Sequence, residues 1–136
     1  MAAGLNTQFH RINKESVTSF GVGAELGIYN LVFVPLKFGL SYSSGDETSE
    51  VNTRIKTDHS VYQYNFLDVK VGIAAGVAFF NNDNFDFTSL YLSPSIAAYY
   101  QIDKKFDVNF NLEYLFHNSD KVSSHFNPSI NIVTYF

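Results

Sequence analysis

Polar and apolar side chains alternate along most of this chain with a period of two, and helical spacing of apolar positions is hard to find anywhere. The clearest stretch is Phe106 to Phe116. Phe106, Val108, Phe110, Leu112, Tyr114 and Phe116 fall on one face, and Asp107, Asn109, Asn111 and Glu113 on the other. Successive side chains of a strand point to opposite faces, so this stretch predicts a strand with one apolar and one polar side. The pattern recurs in Phe20 to Ile28, Val32 to Tyr42, Leu90 to Ile102 and Phe126 to Phe136, and more weakly from Ala3 to Arg11, where Leu5 and Phe9 are apolar.

Between Val61 and Phe79 the alternation changes phase. Tyr62, Tyr64 and Phe66 share one parity, whereas Val69, Val71, Ile73, Ala75, Val77 and Phe79 share the other. A one-residue slip exchanges the faces of a strand, so the chain must turn or bulge near Leu67-Asp68. A turn gives eight strands and a bulge seven. The turn is preferred, because single-chain bacterial membrane barrels have an even strand number. The connectors then alternate between short ones (Tyr29-Asn30, Leu67-Asp68, Asp103-Lys104) and longer polar ones (Asn13 to Ser16, Gly45 to His59, Asn81 to Asp86, Asn118 to Ser124). That alternation matches short periplasmic turns and longer extracellular loops, with both termini on the periplasmic side.

Alternation leaves open which face is buried, since a soluble lipocalin-like carrier has its apolar side inward. Composition decides the expectation. Charged residues are 16% and aromatics 17% of the chain, against roughly 25% charged in an ordinary soluble domain. The polar faces are mostly Gly, Ser, Ala and Asn, which suits a crowded interior better than a solvated exterior. Charges gather in the expected connectors, notably Asp46, Glu47, Glu50, Arg54, Lys56 and Asp58. The expected fold is an all-β, antiparallel up-and-down transmembrane β-barrel of eight strands, one domain over residues 1–136, in a bacterial outer membrane. Tyr29, Tyr42, Tyr62, Tyr100, Phe106 and Tyr114 fit interfacial girdles. No apolar run approaches the roughly 18 residues of a membrane helix. Met1-Ala2-Ala3-Gly4 has neither the basic start nor the apolar core of a secretory leader, which suggests a mature chain with a replacement start Met.

The last strand, with Ile130, Ile132 and a closing Phe136, resembles the terminal strand of outer-membrane barrels, although Thr134 stands where a second aromatic is usual. In strand spacing and alternation the chain resembles the small eight-stranded barrels of the OmpX and opacity-protein kind. The resemblance implies fold and membrane, and says little about activity.

Glu25, Lys37, Lys70, Asp107 and Glu113 take lumen parity, with Asp68 at the turn. Mixed charges inside a narrow barrel need partners, so a salt-bridged plug is expected in preference to a conducting path. His117-Asn118-Ser119-Asp120 is similar to the His-x-Ser-Asn motif of outer-membrane lipid A deacylases. There His117 would be the base and Ser119 the nucleophile. The family's carboxylate on the last strand is missing, since Asn131 is found there, and Asp120 replaces the motif's Asn. Histidines 10, 59, 117 and 125 lack paired ligand spacing, so no metal site is expected. No cofactor is expected either. A net charge of −4 without a basic stripe argues against nucleic acid.

The leading expectation is a non-enzymatic barrel with outer-membrane lipid around it. It would stabilise the envelope or present the 45–59 loop to protein or surface partners, Val51, Thr53 and Ile55 prolonging a sticky hairpin edge there. The alternatives are a lipid A-modifying hydrolase and a lipocalin-like carrier of apolar ligands.

Overall fold

The computed structural model describes residues 2–12, 15–28, 35–83 and 85–135, with the side chains of 2–3, 5–12, 15–16, 28 and 85 left aside. The alternating segments form eight strands: β1 (Ala2–Ile12), β2 (Glu15–Ile28), β3 (Leu36–Gly45), β4 (Thr48–Tyr64), β5 (Leu67–Asn82), β6 (Phe85–Gln101), β7 (Phe106–His117) and β8 (His125–Thr134). Each pairs antiparallel with its neighbour in sequence, and β8 returns to β1, closing a barrel. Both chain ends lie at one mouth, the terminal mouth. The far mouth carries the β3–β4 turn and the connector 118–124. The seam runs from Ala2↔Val133 to Asn6↔Ser129. The next β8 residue is Pro128, which has no N–H to contribute to a ladder. Pro94 likewise falls in a gap of the β6–β7 ladder, between Leu92↔Phe116 and Ser95↔Glu113.

Two separate features produce the phase change. Asn65 and Phe66 turn β4 into β5, two residues ahead of the expected Leu67-Asp68. Asn65 sits at φ 49°, a left-handed conformation in which Asn is enriched. One strand back, the β4–β5 register slips between Ser60 and Tyr62, leaving Val61 as the extra residue of a bulge. Before the bulge even-numbered side chains face inward, and after it outward. Asp58 is 4% exposed and Tyr62 56%.

The expected loop from Gly45 to His59 is strand. Gly45 ends β3, and Asp46 and Glu47 alone make the hairpin, at φ 49° and 64°, the paired positive φ of a type I′ turn. Thr48 to His59 belongs to β4. Val51, Thr53 and Ile55 pair with β3 on one side and β5 on the other, so no sticky edge remains there. Two residues also separate β1 from β2, and β5 from β6, which leaves Asn118–Ser124 as the long connector of the far mouth. The expected long connector is therefore present at Asn118–Ser124 and absent at Gly45 to His59, where Asp46 and Glu47 suffice. Tyr29-Asn30 and Phe136 lie outside the described residues.

The apolar faces point outward. Phe20 is 67% exposed, Leu40 58% and Ile132 57%, whereas Lys37 is 4% and Glu113 1% exposed. This reverses the arrangement a soluble carrier of apolar ligands needs. Aromatics ring both mouths: Tyr62, Tyr64, Phe66, Tyr100 and Phe106 at the terminal one, Phe20, Tyr42, Phe79, Phe116 and Phe126 at the far one. Tyr114 is half-buried and packs edge-on against Phe116 and Phe126, each 4.7 Å between centroids.

Candidate functional site

The bulge at Val61 makes β4 the main supplier of the lumen. Glu50, Asn52, Arg54, Lys56 and Asp58 share the inward parity of that strand, alternating with outward Val51, Thr53 and Ile55. Across the barrel, β2 supplies Glu25, β3 Lys37 and β7 Glu113. The Arg54 guanidinium bridges two strands. It donates to Glu113 Oε2 and, at 3.1 Å, to Glu25 Oε2. Lys56 Nζ reaches the other oxygen of Glu113 at 3.2 Å and Asn111 Oδ1 at 3.3 Å, and Asn111 Nδ2 donates to the same Glu113 oxygen at 3.0 Å. Lys37 Nζ donates to Asp58 at 2.5 Å and to the Tyr99 hydroxyl at 3.0 Å, and stands 3.9 Å from Glu25. Three carboxylates thus meet three cations in one network spanning four strands. An ion taken out of water is costly unless paired and hydrogen-bonded, and each of these is both.

Below the network Lys70 pairs with Asp68 at 3.6 Å and lies 4.6 Å from the Tyr99 ring centre. Asp107 accepts from the Tyr135 hydroxyl at 2.6 Å. Of the expected lumen charges, Glu25, Lys37 and Glu113 therefore meet, whereas Lys70 and Asp107 stand apart near the terminal mouth. Arg54, Lys56 and Asp58 join the network from β4, in the stretch that the sequence reads as a loop. Their strict alternation with Val51, Thr53 and Ile55 was the available signal. A cavity of about 50 Å³ beside the network is lined by Glu25, Arg54, Asn109, Asn111, Asn127 and Ser129, among others. It has room for a few waters.

Above the network the lumen turns apolar. Val17, Ala78, Phe80, Tyr91 and Leu115 form a buried cluster, completed by Val122 reaching in from the connector 118–124. Phe87 stacks on Phe80 at 4.9 Å. The far mouth is closed by hydrophobic packing and the middle by ion pairs.

His117 and Ser119 do not form a pair. The Ser119 hydroxyl accepts from the Lys121 N–H at 3.2 Å, while His117 Nδ1 meets Ser89 Oγ at 2.9 Å. Ser89 is fully buried, which keeps substrate from it. His117 instead sits among rings, 5.9 Å from Phe80, 5.5 Å from Tyr91 and stacked at 5.3 Å on His125. A nucleophile needs a base held in one tautomer by a third group. Nothing among the described residues holds His117 that way for Ser119. His59 is exposed, away from this group.

No family model matches the chain, and no curated protein does at the level of sequence. Solved structures do match by fold. Neisserial surface protein A superposes with a TM-score of 0.74 at 11% identity, covering 98% of this chain and 95% of its own. Ail, the attachment invasion locus protein of Yersinia pestis, gives 0.52 at 11% identity, over 99% and 95%. The outer membrane enzyme PagL gives 0.52 at 9% identity, over 94% and 97%. The fold is that of the small eight-stranded outer-membrane barrels.

Proposed function

We propose that this chain is an integral barrel of a bacterial outer membrane that reinforces the envelope or docks partners at its far mouth, and that it neither conducts nor catalyses. The carrying observation is the filled lumen inside an apolar outer wall. A wall with Phe20, Leu40 and Ile132 outermost is suited to lipid chains. Among the described residues, ion pairs occupy the middle of the lumen and the Phe80–Val122 cluster its far end, which supports a closed barrel. Partner contacts, expected first at 45–59, would fall on what that segment presents at the mouth, the exposed Asp46 and Glu47, and on the exposed Asp120 and Lys121 of the other far-mouth connector.

Planar bilayers test the closed lumen. The refolded monomer is expected to give at most small, irregular conductance, because side chains fill an eight-stranded barrel. Large and stable steps from a verified monomer would overturn the reading. The membrane assignment is read separately, as resistance of the folded band to SDS before heating.

Among its structural neighbours PagL is an enzyme, so activity is a fair question for this chain. The buried Ser89 and the separated Ser119 support a negative answer. Incubation with lipid A is expected to release no fatty acid detectable by mass spectrometry. Release that disappears in Ser119→Ala or Ser89→Ala would make the hydrolase reading correct.

A further inference from the structure

The charge network leaves part of its hydrogen-bonding capacity unused. A guanidinium carries five N–H donors, and Arg54 commits one to Glu113 and one to Glu25. Its side chain keeps 23% of its surface uncovered in the middle of the lumen, and that of Glu25 keeps 15%, so both face a space and not packed wall. Two neighbours carry the complementary need. Asn109 is 5% and Asn127 7% exposed, and each holds a side-chain oxygen with no hydrogen-bond partner among the described residues. Arg54, Glu25, Asn109 and Asn127 all line the mid-lumen cavity of about 50 Å³.

The terminal mouth holds a second, wider space of about 420 Å³. Its rim carries the exposed Gln63, Gln101 and Lys104, and Asp107 and Tyr99 lie deeper. Tyr99 lines both spaces, and Asp107 of the lower one stands two residues along β7 from Asn109 of the upper one. The Tyr99 ring is held as a partition between them. Its hydroxyl accepts from Lys37 Nζ at 3.0 Å, and the ammonium groups of Lys37 and Lys70 lie 5.3 and 4.6 Å from the ring centre. On the other side, the cluster from Val17 to Val122 stands between the cavity and the far mouth.

We infer that the mid-lumen cavity is a binding site for a cluster of ordered water molecules, filled from the terminal mouth past Tyr99, so that the lumen is a blind well. The ligand is neutral because the network is already balanced, three cations against three carboxylates. A buried water needs two to four polar partners and about 10–15 Å³. Here it can accept from an Arg54 N–H and donate to the oxygen of Asn109 or Asn127, and the space takes roughly three to five such molecules. The ion pairs are thereby hydrated from the terminal side alone, and Tyr99 sets how fast those waters exchange. The closed far side rests on the function proposed above, whereas the water site and its route past Tyr99 do not.

The test uses the full chain with isotope-labelled asparagine, refolded in detergent micelles, and the probe is water itself. Nuclear magnetic resonance is expected to show cross-relaxation from water to the side-chain amide protons of Asn109 and Asn127, assigned by their loss in Asn109→Ser and Asn127→Ser. On dilution into heavy water, deuterium exchange at these amides should be several-fold faster in Tyr99→Ala. Tyr99→Phe, which keeps the ring and loses only the hydroxyl, should exchange near the unmodified rate, and so should Val122→Ile, which tightens the far-mouth cluster. Absence of water peaks at both asparagines overturns the site. Equal exchange in Tyr99→Ala and the unmodified protein overturns the partition, and slower exchange in Val122→Ile shows entry from the far mouth and overturns the one-sided route. Large conductance steps in planar bilayers would overturn the closed far side while leaving the water peaks to decide the site. Folding of each variant is checked first by its gel shift, and Tyr99→Leu replaces Tyr99→Ala if the latter does not fold.

Discussion

Leu112→Arg is expected to prevent most of the protein from folding into lipid vesicles. Leu112 lies on the outer face of β7, paired with Ile96 on one side and Pro128 on the other. Its neighbours Ile96, Phe110 and Ile130 are all about half exposed, between 51% and 55%. They form an apolar surface at mid-strand, between the two aromatic rings. A cation there must stay dehydrated or drag water into the hydrocarbon, at a cost of about 2–4 kcal/mol. That lowers the folding equilibrium by roughly 30- to 1,000-fold. The folded fraction, read from the gel shift after dilution from urea into vesicles, is the measurement. Leu112→Phe, which keeps the face apolar, should fold normally. Equal yields for Leu112→Arg and the unmodified protein would mean that the faces are assigned the wrong way round.

The second large effect is expected inside. Glu113 is 1% exposed and accepts from Arg54, Lys56 and Asn111. Glu113→Ala removes the shared anion and leaves two cations in the lumen with reduced compensation. Removing one partner of a buried pair costs about 3–5 kcal/mol, and one anion here serves two cations. Urea unfolding in micelles should show the loss as an earlier midpoint with little change in slope. Replacing the set together, as Glu113→Leu with Arg54→Met and Lys56→Met, should recover much of it, since no charge is then stranded. A Glu113→Ala protein within about 1 kcal/mol of the original would show that the network is dispensable. The same geometry gives Asn111 a structural part in the network. Alternation marks it as inward, but only the fold reveals that it braces Glu113 and Lys56.

Much of the architecture was legible in the sequence, because strand periodicity is a local property. An alternating run such as Phe106 to Phe116 declares its two faces without reference to any other part of the chain. The phase change between Tyr62 and Val71 was legible too, but its origin was not. A turn at Asn65 and a bulge at Val61 both contribute, and parity counting cannot separate two slips that lie so close together.

What the sequence by itself determined was the strand character of the segments, the polar and apolar face of each, and the inward position of Glu25, Lys37 and Glu113. The tertiary structure decided which inward residues meet. Arg54, Lys56 and Asp58 become the cationic and anionic partners of the network only once β4 is paired on both edges from the Asp46–Glu47 turn onward. His117 finds Ser89 and His125, rather than the nearby Ser119, because β6 and β8 are laid beside β7. Register between strands is set by turn geometry and by pairing along the whole ladder. A residue's partner across the barrel is therefore fixed by several turns at once, none of which is written at the residue itself.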